Sequence, residues 1–189
     1  MARQVVLVNG LPGSGKTTLA GPLAARLGAP WLGKDAVKEA LADAVGPGAA
    51  PLVGTEVVGV AATEAVWRLA AAPLPRVVVD AWWFRPHDLD HALRGLATAG
   101  ADAVVEVWCD VPPDVARDRS DARRPSRHPA HADDRDPAAT WAAWAEHAAP
   151  LALGPVVRQD TTGPVDVGAL ALRVAAALSG RPSGRAVRS

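Results

Sequence analysis

The stretch Gly10-Leu-Pro-Gly-Ser-Gly-Lys-Thr-Thr18 decides the fold of this chain. It directly follows the apolar run Gln4-Val-Val-Leu-Val-Asn9, which predicts a buried strand, and it leads into a helical pattern from Lys16 to about Leu27. In a G-x-x-x-x-G-K-[ST] loop between a strand and a helix, glycines let successive backbone N–H groups surround a polyphosphate. The positive amino end of the helix adds to that attraction. The motif therefore predicts a phosphate-binding loop, with an inert glycine turn as the alternative.

The side chains of the loop extend this prediction to a nucleotide and its metal ion. Lys16 is placed to reach the β- and γ-phosphates, and the Thr17 hydroxyl is placed to ligate the accompanying Mg²⁺. The dinucleotide fingerprint fails, because G-x-G-x-x counted from Gly13 ends on Thr18 rather than on glycine, so ATP or GTP is favoured over NAD. We expect nucleotide contacts from all nine loop residues, which are Gly10, Leu11, Pro12, Gly13, Ser14, Gly15, Lys16, Thr17 and Thr18.

Composition limits the partners and the compartment. Twenty basic and twenty acidic residues give a net charge of zero, so no overall field draws the chain to nucleic acid or membranes. The single cysteine, Cys109, excludes an internal disulfide, favours a reducing compartment and is expected to be a buried small hydrophobe. The predicted nucleotide strand leaves no room for a signal peptide, and no apolar stretch is long enough for a membrane span. We therefore expect a cytoplasmic protein, either a monomer or a homodimer.

Strand and helix patterns alternate along the 189 residues, which predicts an α/β domain with helices packed on a parallel sheet. The predicted strands cover residues 4–9, 30–33, 76–80, 103–109 and 155–159. The predicted helices cover residues 16–27, 35–45, 55–72, 88–99, 112–122 and 165–178, with one more helix around Trp141 and Trp144. Residues 123–137 are predicted to be a mobile loop, residues 1–179 a single domain, and residues 180–189 a disordered tail.

Two aspartates fall where phosphate chemistry needs them. Asp80 ends the apolar strand Val77-Val-Val-Asp80, and an open α/β sheet binds its ligands beyond the carboxyl ends of its strands. There Asp80 would hold Mg²⁺ or its bound water, or it would cap the next segment. Asp35 lies just past the second predicted strand, where it would either cap the following helix or act as general base toward an acceptor hydroxyl. Spacing alone leaves both roles of Asp35 open.

Three motifs together resemble a known family. Gly10-Leu-Pro-Gly-Ser-Gly-Lys-Thr-Thr18, Gly33-Lys-Asp-Ala-Val-Lys-Glu39 and Val77-Val-Val-Asp80 are similar to the P-loop kinases of zeta-toxin and polynucleotide-kinase type, often catalogued as AAA-domain ATPases. Gluconate kinase, chloramphenicol phosphotransferase and the polynucleotide 5′-kinase module resemble members of this group. The resemblance implies a three-layer P-loop NTPase fold, with a five-stranded parallel sheet in the order 2-3-1-4-5, helices on both faces, and a lid between the last two strands. It also implies that Asp35 activates the acceptor.

The lid, predicted at about residues 117–137, carries a second chemical feature. Arg119, Arg123 and Arg127 recur every four residues, although Pro125 is expected to break the helix before Arg127. In related kinases a lid arginine stabilises the transferring phosphoryl group on closure, and Arg119 and Arg123 are the best placed for that catalytic role. The alternative is a solvated helix face, because aspartates are interleaved with these arginines at positions 114, 118 and 121.

Tryptophans suggest where the acceptor binds. Trp82 and Trp83 directly follow Asp80, and adjacent side chains of extended chain alternate, so one is expected in the core and the other toward the acceptor. An aromatic face there could stack on a sugar ring or a base. Trp31, Trp67 and Trp108 are interpreted as packing residues.

Three classes of function fit these features. The leading hypothesis is a kinase that transfers the ATP γ-phosphate to a hydroxyl of a small molecule, such as a sugar, a nucleoside or an antibiotic, with ATP and Mg²⁺ as cofactors. A nucleic-acid 5′-end kinase would need a basic channel, and here the basic residues concentrate in the lid alone. An ATPase switch without an acceptor would usually want an arginine finger from a partner and a longer chain.

Overall fold

The computed structural model describes residues 2–46, 54–131 and 137–180. Its five strands are β1 (Gln4–Asn9), β2 (Trp31–Gly33), β3 (Arg76–Asp80), β4 (Ala103–Asp110) and β5 (Val156–Asp160). Its helices are α1 (Lys16–Leu27), α2 (Lys34–Val45), α3 (Thr55–Ala70), α4 (Arg85–Ala99), α5 (Pro113–Ala122), α6 (Pro137–His147) and α7 (Val167–Ser179). None of the helices in these ranges combines the length and the apolar character that crossing a bilayer requires.

The five strands form one parallel sheet in the order β2-β3-β1-β4-β5, which confirms the predicted fold. Strand β1 lies in the centre, with Val8 paired to Asp80 of β3 and Asn9 paired to Trp108 of β4. Gly33, at the end of β2, is also paired with Asp80. The carboxyl ends of β1, β2 and β3 therefore meet at one edge, where an open α/β sheet binds its ligands.

Apolar side chains cover both faces of the sheet. Because successive residues of a strand point to opposite faces, Val6 and Val8 pack with helices α1 and α7, whereas Val5 and Leu7 pack with helices α3 and α4. Near-continuous burial of β1 on both sides is typical of a parallel sheet covered by helices. The structure thus has the predicted three layers, with the sheet in the middle.

Two helices start two or three residues away from the predicted position, and capping side chains explain both. Helix α4 begins at Arg85 instead of residue 88, because the Asp88 carboxylate accepts a hydrogen bond from the Phe84 backbone N–H at 2.7 Å. Helix α7 begins at Val167 instead of residue 165, because Asp166 is its N-cap and accepts a bond from the Ala169 N–H at 2.9 Å. Local polar bonds therefore set the starts that apolar periodicity missed.

The polar segment between α5 and α6 was predicted as a loop and contains two short 3-10 turns, Arg124–Ser126 and Pro129–His131. Residues 132–136 of that segment lie outside the described part of the chain, as do residues 181–189 of the predicted tail. The lid as predicted, residues 117–137, thus includes the last turns of α5 and both 3-10 turns, and it lies between β4 and β5 in the chain.

The phosphate-loop motif is packed tightly against helix α5. Gly13 has a φ of +87°, and a β-carbon at this position would lie 2.0 Å from the carbonyl oxygen of Ala116. Ala116 is fully buried. Only glycine allows both the positive φ and this approach, so the loop and the first turns of α5 hold each other in place.

Replacing Gly13 with alanine should destabilise the fold through this contact. Gly15 is a matched control, because it has the same φ of +87° but no described atom within 4 Å of an added β-carbon. Both substitutions carry the cost of a positive φ, about 1–2 kcal/mol, and Gly13→Ala adds overpacking of about 1–3 kcal/mol. Urea unfolding without nucleotide should show the larger loss for Gly13→Ala, and equal losses would contradict the packing.

Cys109 is 1% exposed on β4, as expected for a buried small hydrophobe. Burial raises the pKa of its thiol to about 12, partly opposed by the positive charge of Lys16. The nucleophilic thiolate is therefore almost absent from the folded protein at pH 8.

An aromatic disulfide reagent should leave Cys109 of the folded protein unmodified at pH 8 and should titrate one thiol per chain in guanidinium. Rapid labelling of the folded chain would contradict this burial.

Candidate functional site

The phosphate-loop motif adopts the conformation of an anion-binding loop between β1 and α1. Gly10, Gly13 and Gly15 all have positive φ values, of 145°, 87° and 87°. Helix α1 begins at Lys16 after Gly15, and no side chain caps its amino end. Its first backbone N–H groups are therefore available to an anion, which the helix dipole also attracts.

The Lys16 ammonium is wrapped by the loop that carries it. Its Nζ donates hydrogen bonds to the carbonyl oxygens of Gly10 and Leu11, at 2.8 and 2.9 Å. Loss of hydration lowers the pKa of Lys16, and the nearby carboxylate of Asp80 opposes that change. A poorly hydrated cation among backbone dipoles is stabilised further by an anion at the mouth of the loop.

Asp80 and Thr17 form the second part of the site. Asp80 is 4% exposed at the end of β3, and burial raises the pKa of its carboxyl. Lys16 opposes that rise, as do the nearby side chains of Thr17 and Trp31. A carboxylate beside a hydroxyl suits Mg²⁺, which usually takes one or two carboxylates and completes its octahedron with phosphates and water.

Asp35 lies in the first turn of α2, directly after the edge strand β2. The N-cap of α2 is Gly33, so the structure assigns the cap position to a residue other than Asp35. Together with Lys16, Thr17 and Asp80, Asp35 lines one small cavity at the carboxyl edge of the sheet. These four residues come from three different elements, and the parallel sheet brings them together.

The two predicted lid arginines occupy different places. Arg119 donates hydrogen bonds to the backbone carbonyls of Thr161 and Thr162, at 2.9 and 2.6 Å, so it holds the loop that follows β5. Arg123, just after α5, lies near enough to Lys16 to lower the pKa of that ammonium. The Arg123 Nε donates a hydrogen bond to the backbone carbonyl of Arg119 at 3.3 Å. Arg123 thus places its charge near Lys16, while Arg119 joins α5 to the loop after the last strand.

A buried polar network, which sequence reasoning missed, fixes the start of the loop. The side-chain oxygen of Asn9 accepts hydrogen bonds from the backbone N–H groups of Gly10 and Trp83, at 2.8 and 3.0 Å. Its amide nitrogen donates to a carboxylate oxygen of Glu106 at 2.9 Å. Asn9 thus couples the phosphate loop to the segment after Asp80. The available signal was a polar residue in each of two apolar strands, Asn9 at the end of β1 and Glu106 in the middle of β4.

Glu106 extends this network to the segment before β5. It is fully buried in β4 and accepts backbone hydrogen bonds from Leu151 and Ala152, at 3.0 and 2.8 Å. Ala152 has a φ of +55°, a conformation that non-glycine residues rarely adopt. Because a buried carboxylate needs such donors, one side chain both satisfies its charge and holds the segment before β5.

Two tryptophans complete the wall of the cavity. Trp31 and Trp82 line it together with Asp35 and Asp80. Trp83 is 2% exposed in the core, whereas Trp82 is half-buried and lines the cavity, as the alternation of adjacent side chains predicts. The interpretation of Trp31 as a packing residue needs correction, because this side chain is 40% exposed at the edge strand β2. Edge strands have one open flank, which a single sequence does not reveal.

Two histidines join the lid to helix α2. His131 Nε2 lies 2.9 Å from the Glu39 carboxylate, and His128 Nε2 lies 3.1 Å from that of Asp43. The His131 side chain is only 6% exposed. The second 3-10 turn therefore rests on the same helix that carries Asp35.

Comparisons with known proteins identify the family and the fold of this chain. Residues 5–151 match the protein family described as AAA domain. A candidate kinase from Chloroflexus aurantiacus J-10-fl is similar over 94% of this chain and 100% of its own, with 29% identity and a TM-score of 0.77. No curated protein matches the sequence.

More distant solved structures show the same fold. A gluconokinase from Sinorhizobium meliloti 1021 is 18% identical over 92% of this chain and 93% of its own, with a TM-score of 0.60. Kti12 from Chaetomium thermophilum, solved in complex with ADP-AlF3, is 17% identical over 93% of this chain and 100% of its own, with a TM-score of 0.62. The chain has a P-loop kinase fold and belongs to the AAA domain family.

Proposed function

We propose that this protein is an ATP-dependent phosphotransferase that moves the γ-phosphate of ATP to a hydroxyl of a small molecule. One observation carries the proposal. A single cavity is lined by the loop lysine, a hydroxyl and a carboxylate suited to Mg²⁺, and a further carboxylate, which are Lys16, Thr17, Asp80 and Asp35. Phosphoryl transfer is mostly positioning and charge stabilisation, and these groups supply both.

The phosphate loop itself supports the proposal that a nucleotide is the phosphoryl donor. Lys16 and the open amino end of α1 provide positive charge, and the Ser14 hydroxyl is fully buried without a hydrogen-bond partner among the described residues. A phosphate oxygen at the loop would give that hydroxyl an acceptor. Nine consecutive residues, Gly10–Thr18, would surround the phosphates. The ADP-AlF3 bound to Kti12 supports ATP as the donor.

Thr17 and Asp80 would hold the Mg²⁺ that accompanies ATP. Bound there, the ion would neutralise charge on the β- and γ-phosphates. Asp80 must be ionised to bind a divalent cation, and its neighbour Lys16 already favours that form. The Thr17 hydroxyl is the neutral second ligand.

Asp35 would act as the general base toward the acceptor. Its carboxylate takes the proton of the acceptor hydroxyl as that oxygen forms a bond to the γ-phosphorus, and the bond from γ-phosphorus to the bridging oxygen breaks to release ADP. A carboxylate on the first turn of a helix, beside the phosphate loop and open to the cavity, suits this role.

The lid would supply the remaining positive charges of the site, from its arginine side chains. We propose that Arg119 and Arg123 both serve catalysis, in a kinase domain of residues 1–179 with its lid at about residues 117–137. The proximity of Arg123 to Lys16 supports a direct role at the γ-phosphate, whereas the bonds of Arg119 support a role in holding α5 against the loop after β5.

The small-molecule acceptor is favoured over a nucleic-acid end. A 5′-end kinase needs a basic path for the phosphate backbone, but the net charge is zero. The gluconokinase and a shikimate kinase among the structural neighbours support a small acceptor.

The compartment is a separate part of the proposal. The single cysteine, buried and unpaired, suits a reducing cytoplasm.

One assay separates these activities. The protein is incubated with Mg²⁺-ATP and pools of sugars, nucleosides and oligonucleotides, and mass spectrometry then searches each pool for phosphate addition. Transfer to a sugar or nucleoside supports the proposal. Transfer to oligonucleotides alone indicates a nucleic-acid 5′-end kinase. ATP hydrolysis without any phosphorylated product indicates an ATPase switch that has no acceptor.

Replacing Asp35 with asparagine should retain nucleotide binding and lower phosphate transfer by on the order of 10²-fold or more, because the proton acceptor is removed. Asp43→Asn is a matched control on the same helix, since Asp43 contacts His128 and does not line the cavity. Turnover is measured with saturating ATP. Transfer near the wild-type rate in Asp35→Asn would leave Asp35 without a catalytic role.

Replacing Arg123 with alanine should slow chemistry by on the order of 10²-fold while changing ATP affinity much less, because the guanidinium acts on the transferring group. Arg127→Ala removes the same charge four residues later in the lid and serves as control. Single-turnover kinetics and nucleotide titration separate the two effects. An unchanged turnover number in Arg123→Ala would exclude Arg123 from the transition state.

A further inference from the structure

We propose that the acceptor carries no negative charge and lays a ring face against Trp31 and Trp82 while its hydroxyl meets Asp35. This inference rests on the proposed function, since it assumes that the cavity beside the phosphate loop receives the acceptor. Its own content is the chemical class of that acceptor, which the aromatic wall and the charges of the cavity determine.

Trp31 is a fixed aromatic surface. Its ring lies against the backbones of α1 and β2, where β-carbons added at Gly21 and Gly33 would each come within 3.4 Å of the indole. Nevertheless 40% of the side chain is exposed, and it lines the cavity. Because the ring is already fixed and is exposed to the cavity, a ligand can stack on it at little cost in side-chain entropy.

Trp82 forms the second part of the wall and is held from behind by other aromatic rings. Its ring centroid lies 5.8 Å from that of Phe84, 6.4 Å from that of Trp108 and 5.9 Å from that of Trp144. The side chain is half-buried and lines the same cavity as Trp31. Such aromatic contacts fix its orientation, so a ligand need not order this residue on binding.

The charges of the cavity disfavour an anionic acceptor. Its described lining includes two carboxylates, Asp35 and Asp80, against one cation, Lys16. Lys16 already donates to two carbonyls of its loop and, under the proposed function, would serve the phosphates of ATP. A carboxylate or phosphate on the acceptor needs a cationic partner of its own, most often a guanidinium, and the described lining offers none.

Two kinds of molecule satisfy these conditions, uncharged sugars and nucleosides, because each joins a hydroxyl to a ring that stacks on tryptophan. The decisive experiment compares matched pairs that differ in one anionic group: a neutral hexose with the corresponding hexuronate, and a nucleoside with its 5′-monophosphate. Saturation-transfer NMR measures binding in the presence of Mg²⁺ and a non-hydrolysable ATP analogue, and mass spectrometry measures transfer from Mg²⁺-ATP.

We expect the neutral member of at least one pair to bind at least tenfold more tightly than its anionic partner. The pair that responds identifies a sugar or a nucleoside as the source of the ring. Tighter binding of the anionic members, or no binding of any member, would overturn the inference. Neutral binding without transfer would refute the proposed kinase activity alone, whereas transfer confined to anionic members would refute the inference alone.

Variants of the wall test its role directly. Trp31→Leu and Trp82→Leu should each raise the acceptor KM about 3- to 10-fold, the equivalent of one lost aromatic contact, with the KM for ATP changed by less than twofold. Trp31→Phe and Trp82→Phe keep a ring and should restore most of the acceptor affinity. An unchanged acceptor KM in both leucine variants, with the fold intact by circular dichroism, would contradict the stacking wall.

Discussion

The site depends on one arrangement, the ammonium of Lys16 held by the carbonyls of its own loop. Two hydrogen bonds, to Gly10 and Leu11, place the cation at the mouth of the loop. Reaching this geometry requires positive φ values in the loop, which glycine adopts without strain. The loop in turn presses on Ala116, so the cation, the loop and the base of the lid form one tightly packed unit.

The parallel sheet places the other residues of the candidate site next to Lys16. Strands β2, β3 and β1 are neighbours, and Gly33, Asp80 and Val8 stand in register at their carboxyl ends. Asp35 follows Gly33 by two residues, and the phosphate loop follows Asn9 directly. Residues far apart in sequence therefore converge because every strand points the same way. The Asn9 and Glu106 network then fixes the loop against the rest of the sheet.

Sequence patterns predicted the elements near the loop well, because the signals there are strong and local. β1, α1 and β3 have the expected bounds, since continuous apolar runs and glycine punctuation leave few alternatives. The start of α7 was two residues too early, because the Asp166 cap competes with apolar periodicity. The strand order came from resemblance, as periodicity carries no information on which strands are neighbours.

The side-chain partners were harder to predict than the elements. Arg119 and Arg123 share a four-residue spacing, yet Arg119 bonds to the loop after β5, whereas Arg123 bonds to the backbone of α5 and places its charge near Lys16. That difference depends on the packing of α5, which spacing does not contain. Trp31 was interpreted as a packing residue, but its place on the edge strand exposes it to the cavity. The partners and the exposure of these side chains thus depend on tertiary packing, which the composition and spacing of the sequence do not reveal.

Nucleotide binding at the loop is tested most directly by calorimetric titration of the protein with a non-hydrolysable ATP analogue and Mg²⁺. The packing around Lys16 predicts saturable binding of one nucleotide per chain with a Kd below about 1 mM, and loss of that binding in Lys16→Ala with the fold retained. Absence of any binding heat by the wild-type protein at millimolar nucleotide would contradict the assignment of the loop and everything built on it.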